Sequence, residues 1–284
     1  ALLATAASCQ SLSDVLVAQK SSLSTLSSLL EGQPAIVKAL SSASNITILA
    51  PSNDAFTSFL ASDAGSKAAK IPSEVASLLT YHVLSGKYPA SSFTKSTLFI
   101  PTLLNDAAYT NVTGGQRLEA RVHAGNVEIT SGLGRKSVVE VADVKFDGGV
   151  IHVIDTVLQI PSLDSTTAVA AGLTSLADAL TEANLVSVVD SLHDVTIFAP
   201  TNAAFNAIRS TVTTLTLDQL AGVLEYHVVA GTVGYSSLLS NTTLKTVQGK
   251  NVQITIEDGD VWVNSAKVIA ADVLVANGVV HVID

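Results

Sequence analysis

At 284 residues, 48% of them hydrophobic and 14% charged, the chain can bury two ordinary cores and is neither disordered nor a coiled coil. A formal charge of −9 argues against nucleic acid, whose phosphates reward clustered Lys and Arg. No stretch approaches the ~20 uninterrupted apolar residues of a membrane-spanning helix.

The first residues, Ala1-Leu2-Leu3-Ala4-Thr5-Ala6-Ala7-Ser8, read as the tail of a secretory signal, an apolar run ending in a small-x-small site. Met is absent, so the initiator is expected outside these residues. Cys9 is the sole cysteine and cannot form an internal disulfide; it is a free thiol or pairs outside this chain. Leu12, Val15, Leu16 and then Leu26, Leu29, Leu30 recur at helical spacing. A β run over Ile46–Leu49 follows and is stopped by Ala50-Pro51, because the residue before Pro is pushed out of helical geometry. Ser52-Asn53 reads as an N-cap for a helix carrying Phe56, and Pro72-Ser73-Glu74 opens another that leads into Tyr81-His82-Val83. Strands dominate from there. Leu118–Val122 and Val127–Ile129 form a hairpin about Ala124-Gly125-Asn126, and Gly149–Asp155 closes the series.

A short polar stretch with one Pro, 160–167, then separates two domains, 8–161 and 162–284, closely joined rather than held on a long tether. Beyond it the same order returns: Leu176, Leu180, Leu185, Val188 and Val189 at helical spacing, a β run Val195–Phe198, and Thr201-Asn202 ahead of Phe205. A helix from Thr216-Leu217-Asp218 follows, then a hairpin from Val252–Ile256 to Val261–Val263 with an Asp-Gly turn. Three blocks repeat nearly residue for residue. Thr47–Phe56 returns as Thr196–Phe205, offset 149; Tyr81–Gly86 as Tyr226–Gly231, offset 145; Gly149–Asp155 as Gly278–Asp284, offset 129. Asp143 and Asp272 keep the last offset. The shrinking offset places the extra length of the first copy in 87–140, around Phe99-Ile100-Pro101 and Ser131–Lys136, where surface loops and binding function are expected. Helices early and strands late in each copy give an α+β class, with no alternating βαβ units.

Charge is unevenly shared. Residues 1–161 hold 11 basic and 12 acidic side chains, residues 162–284 only 4 and 12, so the second copy carries nearly all the negative field. This serves solubility, or a surface that attracts basic partners. Three N-x-[ST] acceptors, at Asn45, Asn111 and Asn241, favour export and glycosylation.

The Thr-Ile-x-Ala-Pro-[Ser/Thr]-Asn-x-Ala-Phe stretch, the Tyr-His pair and the closing Gly-Val-[Ile/Val]-His-Val-Ile-Asp strand, each present twice and in order, resemble the fasciclin (FAS1) domain family. The resemblance organises essentially the whole chain. It implies two tandem fasciclin domains, each a β-sheet wedge flanked by helices. It also implies an extracellular protein of cell surfaces, matrices or walls, active in adhesion, with any surface anchor in a C-terminal tail not present here. In family members that bind integrins the Tyr-His segment is implicated; by position the binding residues here are Tyr81, His82, Leu84, Tyr226, His227 and Val229.

Catalytic patterns are missing. There is no G-x-S-x-G elbow, no H-E-x-x-H and no Cys/His cluster at metal spacing. Gly132-Leu133-Gly134-Arg135-Lys136-Ser137 lacks the adjacent Gly-Lys of a phosphate loop and reads as a charged surface turn, and Glu257-Asp258-Gly259-Asp260 lacks the alternating ligands of a calcium loop. His82, His227, His152 and His281 repeat within apolar segments and read as hydrogen-bonded structural groups; Asp143, Asp155, Asp272 and Asp284 read as strand-end acceptors. The expectation is a non-catalytic, secreted, two-domain glycoprotein without cofactor or metal, whose partner is a protein or glycan at the cell surface or wall. Two alternatives stand beside it: an accessory protein or atypical enzyme acting on small hydrophobic metabolites alongside an extracellular oxidase, and a purely structural wall component. A buried apolar pocket with a motif His and a carboxylate would favour the former.

Overall fold

The computed structural model describes residues 10–284, and the expectations for Ala1–Ser8 and Cys9 lie outside the described residues. The chain forms two compact units. One comprises the described residues up to Leu104, with Leu118–Thr130 and Lys136–Leu158; the other comprises Asn105–Arg117, Ser131–Arg135 and Gln159–Asp284.

The first copy runs α1 (Leu12–Ala18), α2 (Lys20–Glu31), α3 (Pro34–Ser42), β1 (Ile46–Pro51), α4 (Asn53–Leu60), α5 (Asp63–Ala68), α6 (Pro72–Tyr81), β2 (Val83–Ser85), β3 (Leu98–Pro101), β4 (Arg117–His123), β5 (Asn126–Thr130), β6 (Lys136–Phe146) and β7 (Gly149–Ile154). The second runs α7 (Asp164–Ala170), α8 (Thr174–Glu182), α9 (Val186–Ser191), β8 (Val195–Pro200), α10 (Asn202–Ala207), α11 (Arg209–Val212), α12 (Leu217–Tyr226), β9 (Val228–Val229), β10 (Thr242–Lys245), β11 (Asn251–Glu257), β12 (Asp260–Val263), β13 (Ala266–Val275) and β14 (Gly278–Ile283).

Helix starts follow local chemistry. The Ser52 hydroxyl accepts from Ala55 N at 3.3 Å and that of Thr201 from Ala204 N at 3.1 Å, satisfying amides that the first turn leaves without partners. α6 begins with Pro72 at its first position, and α12 with a reciprocal Thr216–Gln219 capping box. The asparagines beside the caps do something the sequence did not suggest. Asn53 Oδ1 accepts from Thr25 N at 2.9 Å while its Nδ2 donates to Ser21 O; Asn202 Oδ1 accepts from Ser175 N at 3.0 Å while its Nδ2 donates to Gly172 O. Each therefore ties the helix after the first strand to an earlier helix, α4 to α2 and α10 to the start of α8.

The strands order as β2-β1-β7-β6-β5-β4-β3 in the first sheet and β10-β11-β12-β13-β14-β8-β9 in the second. Late strands pair antiparallel, as read from sequence, but the pairs β1–β7 and β8–β14 are parallel, Leu49 opposite His152 and Phe198 opposite His281. The far ends of each sheet approach one another: Leu103 N donates to Val83 O and Val247 N to Val228 O, both at 2.8 Å. Each unit is thus a barrel-like sheet with helices on one face. In the second, Val195, Ile197 and Ala199 point to the helical core, while Phe198 joins Ile254, Val263 and Ile283 on the opposite side. Strands buried on both faces read as unbroken apolar runs, which is why the closing strand shows no alternation. The parallel pairs are so close that a Cβ on Gly149 would lie 1.8 Å from Ile46 O, and one on Gly278 1.9 Å from Val195 O.

The extra length of the first copy resolves into the β3–β4 connection and the turn between β5 and β6. Both fall largely in the second compact unit. They are not free loops throughout: Gln116 is fully buried and donates to Val275 O at 3.1 Å, and Thr113 donates through N and Oγ1 to Asp194 at 2.7 and 2.6 Å. In the turn the tip from Leu133 is exposed as expected, but Ser131 and Gly132 are buried, a Cβ on Gly132 meeting the Pro161 backbone at 2.7 Å.

Candidate functional site

The Tyr-His pair ends α6 and α12, where the helix hands over to a short strand beside β1 or β8. In the first unit Tyr81 and Leu84 are fully buried and His82 nearly so. The His82 ring stands edge-on to Tyr81, 6.5 Å between centroids. Its Nδ1–H donates to Leu78 O at 2.7 Å, and its Nε2 accepts from Leu158 N at 3.0 Å. Both ring nitrogens are committed, which fixes the neutral tautomer. Burial pushes the imidazole down to about 4, the Leu78 bond opposing.

In the second unit Val229 is buried, while Tyr226 and His227 are half-buried. Tyr226 Oη donates to Asn251 O at 3.0 Å and accepts from Asn264 Nδ2 at 3.1 Å. His227 Nδ1 lies 2.8 Å from Val223 O, and burial lowers its basicity. Of the six sequence-predicted binding residues, Tyr81, His82, Leu84 and Val229 are buried and Tyr226 and His227 half-buried.

The other repeated histidines are locked in one pattern. Asp143 N–H donates to His152 Nδ1 at 3.2 Å, so Nε2 carries the proton and donates to Tyr88 O at 2.8 Å. Asp272 N–H donates to His281 Nδ1 at 3.3 Å, and His281 Nε2 donates to Gly234 O at 2.7 Å. Burial holds the His281 imidazole below its ordinary value, with the Asp272 charge opposing. Both aspartates sit at left-handed backbone in the bulged strands, φ 60 and 64, and their carboxylates accept from Ala90 N and Ser236 N at 2.9 and 2.8 Å. Asp155 accepts from Val138 N and Asp284 from Lys267 N, both at 2.8 Å. These rings and carboxylates bond chiefly to backbone amides and carbonyls, with Ser137 and Ser236 hydroxyls donating to Asp155 and Asp272.

Three hollows among the described residues bear on these groups. A cavity of about 40 Å³ lies under the helices of the first unit beside His82, and one of about 20 Å³ lies in the second beside His227. A groove of about 420 Å³ runs along α1–α3 between Leu16, Val17, Pro34 and Val37. Sequence reasoning missed Asp164, which lines the second cavity and is 4% exposed; nothing local distinguishes it from a helix-start carboxylate at the surface. Among the described residues no group of three or more His, Cys, Asp or Glu could hold a metal, and no helix is long and apolar enough to cross a membrane. Asn45 and Asn241 are exposed and Asn111 half-buried. Their side chains or backbones join turns, Asn45 Oδ1 accepting from Lys87 N at 3.2 Å and Asn241 Oδ1 from Ile256 N at 2.7 Å.

Fold and site together define a tandem pair of α+β domains whose repeated His and Asp landmarks are structural fastenings. The fasciclin domain profile matches residues 21–161 and 171–284, and the chain belongs to the fasciclin family. It is 35% identical to a fasciclin-like arabinogalactan protein of Arthroderma benhamiae over 94% of this chain, spanning 64% of that relative's length. It is 33% identical to the fasciclin-like arabinogalactan protein elcF of Phaeosphaeria nodorum (92% of this chain, 83% of the relative) and 33% to CTB11 of Cercospora beticola (98% and 76%). A solved domain pair from the insect cell adhesion molecule fasciclin I covers 94% of this chain and 96% of that one at 19% identity and a TM-score of 0.43.

Proposed function

We propose that this chain is an extracellular, non-catalytic adhesion or binding glycoprotein that engages protein or glycan at a cell surface or wall. One observation carries the non-catalytic part: all four repeated histidines have a ring nitrogen bound to a backbone carbonyl, and the repeated aspartates are held by backbone amides. The names of the fungal relatives, fasciclin-like arabinogalactan proteins, support the extracellular and glycan-bearing part. The exposed acceptors Asn45 and Asn241 support glycosylation. Tyr226 and His227, with the exposed Val223 beside them, are the contact residues this reading favours.

Expression in a secreting host, followed by N-glycanase treatment and fractionation of medium, surface and wall, tests the proposal. A glycanase-sensitive mass shift abolished by the pair Asn45→Gln and Asn241→Gln is expected, together with retention on surface or wall material. An unglycosylated protein found only inside the cell would overturn it.

A second reading, an accessory acting on small hydrophobic metabolites beside an extracellular oxidase, is favoured by the apolar cavity that Asp164 and His227 share. Its size weighs against it: about 20 Å³ is far below the ~150 Å³ that accommodates a benzene ring. Saturable binding of phenol at the His227 ring in an NMR titration would raise this reading above the first.

A further inference from the structure

In the second sheet β10, β11, β12 and β13 are neighbours in that order. Thr255 stands opposite Trp262, and Trp262 opposite Lys267. Directly opposed residues of antiparallel strands point to the same side. The adjoining Ile254 and Val263 pack in the core, so the Thr255–Trp262–Lys267 row faces away from it. Asn241, an exposed glycosylation acceptor just ahead of β10, extends this ladder through its side chain: Oδ1 accepts from Ile256 N at 2.7 Å. Attachment of a glycan replaces a hydrogen on Nδ2 and leaves that oxygen bonded as it is.

Trp262 is the sole tryptophan and is partly exposed. On the β13 side the Lys267 ammonium lies 5.9 Å from its ring centroid and pairs with Asp260 at 2.6 Å. On the β11 side its neighbour is the short Thr255, and beyond that lies Asn241. The first unit fills the same row differently. The hairpin turns align, Ala124-Gly125 at φ 50 and 86 against Asp258-Gly259 at φ 53 and 86, which sets Glu128 where Trp262 stands and Arg121 where Thr255 stands. Glu128 is satisfied by Arg121 at 3.3 Å and Lys136 at 3.0 Å, and Val122 N, the counterpart of Ile256 N, donates to a backbone oxygen of Thr94. Thr156–Leu158, which follow the closing strand there, turn inward instead: Thr156 N donates to the buried Ser137 and Leu158 N to the buried His82.

Two strand spacings, about 10 Å, separate the strand of Asn241 from that of Trp262. The two N-acetylglucosamine rings that begin an N-linked glycan together cover such a span. A pyranose ring presents one face of C–H groups, which suits the electron-rich face of an indole, while its hydroxyls and acetamide reach the polar groups around it. Covalent attachment makes the contact intramolecular, so that stacking too weak to capture a free sugar is still populated.

We propose that Trp262 seats the glycan carried by Asn241, whose first sugars lie across Thr255 with one stacked on the indole, so that carbohydrate covers the outer face of β10–β13. This rests on the glycoprotein reading above and adds to it the residue that fixes the glycan. A protein partner then meets this face through sugar and not through the sheet.

The test uses the whole chain from a secreting host, where the sole tryptophan makes intrinsic fluorescence a report on this place alone. Acrylamide is expected to quench it at least about twofold more steeply after N-glycanase treatment, because one of the two ring faces is uncovered. Thr243→Ala, which abolishes the acceptor while keeping Asn241 Oδ1 on Ile256 N, is expected to match the treated protein, and Asn45→Gln to match the untreated one. Nuclear Overhauser contacts between indole and N-acetylglucosamine ring protons are expected in glycoprotein with a ¹³C-labelled glycan. Glycopeptide mass mapping separates the two ways of failing. A bare Asn241 overturns this inference together with glycosylation of that site; a glycan on Asn241 with unchanged quenching and no indole–sugar contact overturns this inference alone. Should Thr243→Ala fail to be secreted, the unaltered protein before and after glycanase decides it.

Discussion

His82 shows how one side chain can be required without being reactive. Its two ring nitrogens bridge the last turn of α6 to Leu158, so truncation leaves a buried backbone amide without an acceptor as well as a void. His82→Ala is expected to destabilise the first unit by about 2–4 kcal/mol, read from denaturant unfolding. pH acts on the same residue. Its folded value of about 4 lies below the ordinary 6.5, so its contribution is complete above 6.5 and is lost as pH falls toward 4. Ring ¹⁵N shifts should therefore show His82 neutral through pH 5; a midpoint near 6.5 would mean that the ring is not sequestered. Tyr226 differs from Tyr81 in the same way that His227 differs from His82: it is half-buried rather than buried. Tyr226→Ala should weaken surface binding with little loss of fold, whereas Tyr81→Ala, deep in the core, should cost about 3–5 kcal/mol of stability.

Elements are specified at their ends. Thr201→Ala removes the hydroxyl that accepts from Ala204 N and should cost about 1 kcal/mol, while a Thr201→Ser exchange should be nearly silent, both measurable as shifts in unfolding midpoint. The parallel strand pairs are less forgiving. Gly278→Ala forces a methyl to 1.9 Å from Val195 O, and only separation of β8 from β14 relieves it. Loss of more than about 4 kcal/mol, or of soluble expression, is expected; near-normal melting of that variant would show that the strands are not so closely apposed. Cap residues and hairpins such as Glu257–Asp260 were legible because their causes are local: a hydroxyl before a helix, an Asp-Gly turn at positive φ. The parallel pairing of β1 with β7 was not, since its partners lie about a hundred residues apart and nothing in either strand names the direction of the other.

At the scale of the molecule, the doubled sequence yields two units with the same strand order, the same closing hydrogen bond and the same His–Asp fastening. Charge does not repeat. With 4 basic and 12 acidic side chains, residues 162–284 should account for salt-sensitive association with a polycation such as polylysine. Size-exclusion chromatography at low and high ionic strength checks this, and association that survives about 1 M salt would assign it to apolar contacts instead.

By itself the sequence determined the repeat, the α+β class, the family and the structural duty of the repeated His and Asp, because these follow from residue order and from bonding capacity that apolar strands must satisfy. Burial was decided only by tertiary structure. Identical Tyr-His pairs differ in depth: Tyr81 and His82 are buried, Tyr226 and His227 half-buried. Asp164, an unremarkable carboxylate at a helix start, became a buried acid for the same reason: depth is a property of what packs around a residue, and no local pattern records it.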